Sequence, residues 1–260
     1  MRIRVLPAGL TPAVCSAVLL SLAACSTTPP SQEPDHTAQV LQTARKTLPS
    51  IAWADGQNWQ PYLLPGKKTT QFSKVTMDGR DAVLAVADAS ASLLRHNLKV
   101  PAQALEQVRF SWKVPMLIDL ADIATREGDD SPVRVVLTFE GDRSKLSSKY
   151  GLLSELSRAV TGEELPYATL VYAWCNQRVA GSISHSARTD RVRTITVESG
   201  RKNLGQWLDY ERDIKADFAR AFGEAPGALV GVALMTDADN TASKTKAYYG
   251  PVSLGNSLLR

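Results

Sequence analysis

The sequence predicts a mainly β protein, an antiparallel β-sandwich with one or two inserted helices. Several segments alternate apolar and polar residues with the period of two that marks a half-buried strand. They follow one another at irregular spacing with few helical stretches between them, which favours a sandwich over a doubly wound sheet. With 260 residues, 44% of them hydrophobic and 22% charged, the chain has the size and composition of a soluble globular domain.

Eight segments are predicted to be strands. Residues 108–114 place Val108, Phe110 and Trp112 on one face, whereas residues 229–235 are apolar on both faces and are predicted to lie in the centre of a sheet. The strongest patterns are 108–114, 133–139, 167–175 and 229–235, and the weaker ones are 82–87, 192–198, 206–211 and 246–254.

Apolar residues recur at helical spacing in three places. In 144–161 they recur at steps of three and four opposite a face of Ser, Lys and Glu, which predicts an amphipathic helix inserted between two strands. Residues 213–222 predict a second helix, with Gly223 placed as its C-cap. A short helix is predicted over 36–48.

The N-terminus has the layout of a secretory signal peptide over residues 1–24. Arg2 and Arg4 form a basic start, an apolar run follows, and small residues precede Cys25. Residues 22–25 resemble the bacterial lipobox, which predicts a lipid anchor on Cys25 and attachment to a membrane of the bacterial cell envelope.

The residues after the predicted anchor indicate how the protein is arranged. Ser26 follows Cys25 where an Asp would favour retention at the inner membrane, so the outer membrane is expected. Residues 25–35 are rich in Pro, Ser and Thr and predict a flexible tether. A single β-sandwich domain is predicted over 36–260.

Cysteine usage agrees with this arrangement. Cys15 leaves with the signal peptide and Cys25 carries lipid, so Cys175 has no partner for an internal disulfide. Cys175 ends an apolar run and is expected to be a buried structural thiol. The alternative is a nucleophilic Cys175 that uses His185 as its basic partner.

Charge and motifs exclude several classes of function. The 30 Lys and Arg residues exceed the 26 Asp and Glu residues by only four and are scattered, so no nucleic-acid partner is expected. The sequence lacks the motifs of serine hydrolases, zinc proteases, thiol oxidoreductases and P-loop nucleotide-binding proteins. We therefore expect neither catalysis nor a cofactor, with Ca²⁺ as the one cofactor that remains open.

An acidic loop precedes one of the strongest predicted strands. Asp119, Asp122, Asp129 and Asp130 lead towards Arg134. Three interpretations are open. Arg grips carboxylates through two hydrogen bonds, so the group can form a structural salt bridge. Alternatively, the acids can bind Ca²⁺, which takes roughly six to eight oxygen ligands, or they can contact a ligand.

A second acidic segment follows the predicted central strand. Asp237, Asp239 and Asn240 offer oxygen atoms close together, which resembles the start of a calcium loop. The EF-hand pattern fails, because Ala242 holds its glycine position and Tyr248 its final glutamate position. A turn, a metal site at Asp237 and Asp239, and a site for a polar ligand are the open interpretations.

We expect the two acidic segments to meet at one rim of the sandwich. In neighbouring antiparallel strands the start of one strand lies beside the end of the next, and loops cluster at the two ends of a sandwich. The candidate ligand-binding residues are therefore Asp129, Asp130, Arg134, Asp237, Asp239, Asn240 and Tyr248.

Aromatic residues divide into expected core residues and expected ligand contacts. Trp53 and Trp59 precede the sandwich pattern and are candidates for exposure. Tyr248 and Tyr249 are adjacent, so a strand directs them to opposite faces, and one of them is a candidate to stack on a sugar ring. The tryptophans on predicted strands, which are expected in the core, are Trp112, Trp174 and Trp207.

Several segments carry a family resemblance over roughly residues 50–255. They are 110–114, 128–139, 170–174, 198–200, Trp207, 211–214, Asp217, 222–223, 235–241 and 247–250. Their order and spacing resemble a bacterial family known as domain of unknown function 3047. The resemblance implies an exported protein with a jelly-roll sandwich similar to galactose-binding and other carbohydrate-binding modules, and it implies no particular activity. Residues 143–165 look like an insertion relative to the family.

Together these observations predict a non-catalytic envelope lipoprotein whose sandwich binds an extended polar ligand such as a glycan. One alternative is an enzyme that acts on polysaccharide through its acidic loop residues. The other is a structural or assembly partner of other envelope proteins. The fold resemblance favours the first hypothesis by analogy only.

Overall fold

The computed structural model describes residues 58–255 and 257–258, and side chains are described up to residue 255. The predicted signal peptide, the lipidation site at Cys25, the tether, the short helix over 36–48 and Trp53 lie outside the described residues. Among the described residues, no helix has the length and apolar character needed to span a membrane.

Two β-sheets of seven strands each form a sandwich, which confirms the predicted fold class. Sheet 1 consists, from edge to edge, of β1 (Trp59–Leu63), β4 (Ala91–Val100), β11 (Leu229–Asp237), β6 (Ser131–Phe139), β7 (Ala168–Cys175), β9 (Val192–Ser199) and β8 (Ile183–His185). Sheet 2 consists, in order, of β14 (Ser257–Leu258), β13 (Ser253–Leu254), β5 (Gln107–Lys113), β12 (Lys244–Tyr249), β3 (Arg80–Asp88) and β2 (Gln71–Met77), with β10 (Trp207–Asp213) paired to β5.

The chain crosses between the sheets repeatedly, which is the arrangement of a jelly roll. Strands β3 to β6 alternate between sheet 2 and sheet 1, and strands β9 to β12 alternate in the same way. The described strand pairs are antiparallel except for β7 and β9, which are parallel because β8 lies at the sheet edge beyond β9. The apolar segment predicted to be central is β11, which lies between β4 and β6.

The core lies between the inner faces of the two sheets. Trp112 of β5 and Trp174 of β7 are both 0% exposed, as predicted from their alternation with polar or small residues. Phe110 stacks on Tyr172 across the core with ring centroids 5.6 Å apart. Such rings each bury a large apolar area, so this aromatic layer is a major source of the domain's stability.

Both predicted inserted helices are present, and they differ in what they bury. Helix α1 (Ser148–Thr161) begins after its N-cap Ser147, and helix α2 (Ile214–Phe222) begins after its N-cap Asp213. Gly223 ends α2 in the left-handed conformation, with a φ of 72°, as its sequence position predicts. Helix α2 buries its apolar face in the core, whereas α1 leaves most of its apolar face exposed. Short 3-10 turns cover Ala102–Ala104 and Arg143–Lys145.

The structure corrects two expectations about tryptophans. Trp59 is 0% exposed, because β1 pairs with β4 and the indole packs edge-on against His96. Trp207 was expected in the core but is partly exposed. It lies on the outer face of sheet 2, because it pairs with Lys113 and not with an inward-facing residue.

The strand predictions were incomplete in both sheets. The segment 246–254 forms two strands, β12 and β13, with Gly250 and Pro251 between them. Strands β1, β2, β4, β8 and β14 were not predicted. Strand β4 was missed because the buried His96 is a polar residue on its core-facing side, between Leu94 and Leu98, and it breaks the apolar alternation.

Candidate functional site

The two acidic segments meet at one end of the sandwich, as predicted. Strands β6 and β11 are antiparallel neighbours, and Ser131 at the start of β6 is paired with Asp237 at the end of β11. The Nε of Arg134 donates to Oδ1 of Asp237 at 2.9 Å. The Nη2 of Arg134 donates to the carbonyl of Asp129 at 2.9 Å and to its Oδ1 at 3.0 Å. We call the group formed by Asp129, Asp130, Arg134, Asp237, Asp239 and Asn240 the acidic rim.

Asp130 fixes the turn that follows β11. Its carboxylate accepts hydrogen bonds from the backbone N–H groups of Asn240 and Thr241, at 3.2 and 2.7 Å, and from the hydroxyl of Thr241 at 2.6 Å. The side chain of Asn240 donates to the carbonyl of Arg126 at 2.7 Å. Asp239 forms an ion pair with Lys67. These residues therefore hold two loops together.

Burial and like charges shape the electrostatics of the acidic rim. Oxygen atoms of Asp130, Asp237 and Asp239 lie within 4.8 Å of one another. The pKa of Asp237 is raised to about 7. Burial is the largest cause, the charge of Arg134 opposes it, and the charges of Asp130 and Asp129 add to it. Burial lowers the pKa of Arg134, but Asp237 and Asp129 raise it by more, so the guanidinium stays charged.

The acidic rim has few free oxygen atoms with which to bind Ca²⁺. Both oxygens of Asp130 accept hydrogen bonds from protein groups, and Oδ1 of Asp237 accepts from Ser131 N–H and from Arg134. Asp239 is paired with Lys67. A Ca²⁺ site needs roughly six to eight oxygen ligands, so the described geometry fits a structural network better than a calcium site.

The remaining acidic and aromatic candidates lie apart from the rim contacts. Asp119 pairs with Arg201, and Asp122 pairs with Arg178 at 2.6 Å. Tyr248 is 8% exposed and lies on the face of β12 opposite to Tyr249.

Of the two adjacent tyrosines on β12, Tyr249 and not Tyr248 contacts the acidic rim. Its hydroxyl donates to the carbonyl of Met235 at 2.6 Å and accepts from the backbone N–H of Arg134 at 3.2 Å. Its inward direction follows from the alternation along β12, and that was the available signal.

A larger feature is a cleft of about 1040 Å³ between α1 and the outer face of sheet 1. Its floor contains a row of residues paired across four strands, in the order Asn97, Gly231, Thr138 and Thr169. Gly231 fits closely in this row, because a Cβ there would lie 2.7 Å from Oγ1 of Thr138 and would force that side chain to move. The floor therefore presents two hydroxyl groups and one carboxamide beside bare backbone.

One side of the cleft is a fixed cationic and aromatic platform. The guanidinium of Arg95 lies 4.2 Å from the ring centroid of Tyr62. The same guanidinium donates to both carboxylate oxygens of Glu163, at 2.7 and 2.9 Å. Stacking and a two-point ion pair both restrict Arg95, so this side of the cleft is preorganised.

The opposite wall of the cleft is apolar and belongs to α1. Leu153, Leu156 and Val160 line it and are 38%, 58% and 46% exposed. A contiguous patch of exposed apolar side chains on a helix often marks a site that binds a ligand or a partner. The sequence pattern identified this apolar face, because its residues recur at steps of three and four.

Comparisons with known proteins place the chain in a family. Residues 57–253 match the family model described as a protein of unknown function, DUF3047. The chain belongs to this family. No curated protein matches the sequence at a significant level.

Solved structures resemble this DUF3047 chain only loosely. The family 11 carbohydrate-binding module of a cellulosomal cellulase from Clostridium thermocellum is 11% identical, with a TM-score of 0.38, over 76% of this chain and 87% of that one. A cellulase derived from that of Rhodothermus marinus is 13% identical, with a TM-score of 0.39, over 77% and 91%. The xyloglucanase domain of an effector from Sinorhizobium fredii is 9% identical, with a TM-score of 0.39, over 75% and 92%.

Cys175 of this DUF3047 chain is a buried thiol, as predicted. It is 4% exposed, and its sulfur lies 3.3 Å from the hydroxyl oxygen of Thr196. Burial raises the pKa of the thiol, and the hydrogen bond with Thr196 offsets part of that effect. His185 lies on β8, which β9 separates from the strand of Cys175. A nucleophilic role would require a lowered thiol pKa, so the structural interpretation is favoured.

Proposed function

We propose that this DUF3047 protein is a non-catalytic binding protein of the bacterial cell envelope that holds a glycan chain in the cleft between α1 and sheet 1. The observation that carries the proposal is the pairing of a polar floor with an apolar wall. Sugar rings are amphipathic in the same way, since hydroxyl groups surround their edges and C–H groups cover their faces.

The floor residues offer both hydrogen-bond donors and hydrogen-bond acceptors to the hydroxyl groups of a sugar. The hydroxyl of Thr138 donates to the carbonyl of Gly231 at 3.3 Å, which leaves its oxygen as an acceptor. The hydroxyl of Thr169 can both donate and accept, and the amide of Asn97 carries two donors and one acceptor. In the described residues the hydroxyl of Thr169 makes no hydrogen bond, so it is available to a ligand. The missing side chain at Gly231 leaves space for close approach to the backbone.

The size and rigidity of the cleft also support a chain-like ligand. Pockets for drug-sized molecules occupy roughly 300–1,000 Å³, and the cleft exceeds this range at about 1040 Å³. Arg95 is held by Tyr62 and Glu163 before any ligand arrives. Preorganised groups lose little conformational entropy on binding, so they add to affinity.

The charged groups of the cleft support binding over catalysis. Glycoside hydrolysis uses two carboxyl groups across the scissile bond, one of them as an acid or a nucleophile. The cleft carboxylates are instead engaged in ion pairs: Glu163 with Arg95, Glu140 with Lys99, and Glu164 with Arg143 and Arg158.

The location in the envelope is supported by the signal-peptide pattern and by the lipobox that ends at Cys25. A lipid-anchored module with an open cleft can hold polysaccharide close to the membrane on which it sits. An assembly role with other envelope proteins would need a protein partner at the same cleft.

A glycan array followed by titration calorimetry tests the proposal. We expect wild type to bind at least one class of bacterial or plant glycan, and Thr169→Val to weaken that binding by about tenfold, the effect of one lost hydrogen bond in a buried site. Thr76→Val, on the exposed face of β2, is the matched control and should bind as wild type does. The proposal is refuted if wild type binds no glycan, or if Thr169→Val binds as tightly as Thr76→Val. Shortened oligosaccharides after incubation would instead indicate an enzyme.

A further inference from the structure

A second cavity, of about 470 Å³, adjoins the cleft at the N-terminal half of α1. The two cavities share Tyr150, Leu153, Arg188 and Thr189 as lining residues. A ligand that occupies the cleft can therefore extend into the second cavity without leaving the protein surface.

The charges that line the two cavities differ. The cleft is lined by three arginines and three glutamates, so its formal charges balance. The second cavity is lined by Lys149, Arg188 and Arg193 but by only one carboxylate, that of Asp190. Arg188 pairs at 3.9 Å with a carboxylate outside the lining, that of Asp129. Lys149 and Arg193 against Asp190 then leave a formal excess of one positive charge, and His185 also borders the cavity.

Arg193 has few partners for its charge, and its guanidinium lies 5.5 Å from the ring centroid of Phe222. Its Nε is buried and has no hydrogen-bond partner among the described residues, and its Nη1 donates only to the carbonyl of Val192, at 3.2 Å. Among those residues it forms no ion pair, and the same holds for Lys149. Burial lowers the pKa of Arg193, the charge of Arg191 lowers it further, and Asp190 raises it in part.

These observations describe a site that is short of negative charge. A buried guanidinium N–H without an acceptor is unfavourable, and an oxyanion would supply both the acceptor and the charge. Arg presents its donors in a rigid fork that matches a carboxylate, phosphate or sulfate group. Lys149 is exposed and can turn towards a bound anion without breaking an ion pair of the described chain.

We propose that the second cavity is an anion subsite, which receives an acidic substituent of the glycan held in the cleft. The substituent is an oxyanion: a carboxylate, a phosphate or a sulfate group. The inference rests on the proposed function for the position of the remaining ligand, and it deepens that function by naming an acidic glycan as the ligand class.

Four matched sugars test the subsite: glucose, glucuronic acid, glucose 6-phosphate and glucose 6-sulfate, each titrated while binding is followed by nuclear magnetic resonance. We expect at least one acidic sugar to bind about tenfold more tightly than glucose, the effect of one charge-assisted hydrogen bond. The acidic sugar that binds best identifies the oxyanion. Arg193→Gln and Lys149→Gln should each reduce that preference, and Arg193→Lys should retain part of it. Lys202→Gln, at an exposed position outside both cavities, is the matched control.

A titration with inorganic sulfate separates the subsite from the cleft. Suppose that sulfate binds to wild type but not to Arg193→Gln, and that no sugar binds. This result supports the anion subsite and refutes the proposed glycan function. If glucose and the acidic sugars bind equally, or if Arg193→Gln and Lys149→Gln both keep the preference, the subsite is refuted while the proposed function stands. Failure of every acidic sugar and of sulfate to bind overturns the inference as well.

Discussion

Arg134 and Asp237 form a buried ion pair where β6 begins and β11 ends. The Nε of Arg134 lies 2.9 Å from Oδ1 of Asp237, and the two side chains are 8% and 4% exposed. Arg134 also holds Asp129, so one guanidinium links two loops at the same end of the sandwich. The acidic rim therefore holds the two loops together as a structural clasp, which supports the proposal that a ligand binds in the cleft on sheet 1.

Removal of one partner of this ion pair should be strongly destabilising. Asp237→Ala leaves the buried guanidinium of Arg134 without its nearest carboxylate, which typically costs about 3–5 kcal/mol. Glu211→Ala breaks the exposed pair with Arg109 and is the control, with an expected cost of about 0–1 kcal/mol. Urea unfolding followed by tryptophan fluorescence measures both. Equal costs for the two variants would contradict the structural role of the clasp.

The raised pKa of Asp237 predicts a dependence of stability on pH. Its pKa is about 7 in the folded protein, against about 4 in an unfolded chain. Between these values the folded state binds a proton that the unfolded state lacks, so the free energy of unfolding falls as the pH rises from about 4 to about 7. Asp237→Asn cannot titrate, so its unfolding free energy should decline less over that range. Parallel curves for the two proteins would show that the pKa of Asp237 is not raised.

Calcium should have little effect on this protein. Arg134 and Lys67 already pair with carboxylates of the acidic rim, so few oxygen atoms remain for a cation. We expect the melting temperature of wild type to stay the same when EDTA and then millimolar Ca²⁺ are added. Lys67→Gln, which frees Asp239, tests whether the lysine excludes the ion. A clear rise in the melting temperature of wild type with Ca²⁺ would establish a metal site, because a ligand that binds the folded state stabilises it.

The first 25 residues predict a lipid anchor on the protein. The basic start, the apolar run and the lipobox before Cys25 predict acylation at that residue. Wild type expressed with a clickable palmitate analogue should be labelled and should sediment with membranes, whereas Cys25→Ser should show neither property. Cys175→Ser is the matched control, because its thiol is buried and should not be acylated. Equal labelling of wild type and Cys25→Ser would refute the anchor.

Much of the sandwich could be predicted from the sequence, because many of its strands keep one face in the core. Trp112 and Trp174 alternate with polar or small residues, and both are fully buried. The meeting of Asp130 with Asn240 was also predictable, since it follows from antiparallel pairing at the ends of strands.

The cleft could not be predicted in the same way. Its floor residues, such as Asn97 and Thr169, come from strands far apart in the sequence and share no motif. Strand β4 was missed because His96, on its core-facing side between Leu94 and Leu98, interrupts the apolar alternation.

The apolar wall of the cleft gives a prediction that separates binding from stability. Leu156 of α1 is 58% exposed, so Leu156→Ser should change the free energy of unfolding by no more than about 0.5 kcal/mol, as surface substitutions usually do. Phe218 of α2 is 0% exposed and packs on Phe139 with ring centroids 4.7 Å apart, so Phe218→Ala should cost about 3–5 kcal/mol. If the wall serves a ligand, Leu156→Ser should weaken glycan binding at unchanged stability. Urea unfolding and calorimetry on the same samples measure both quantities, and a large loss of stability in Leu156→Ser would show instead that α1 packs as a core helix.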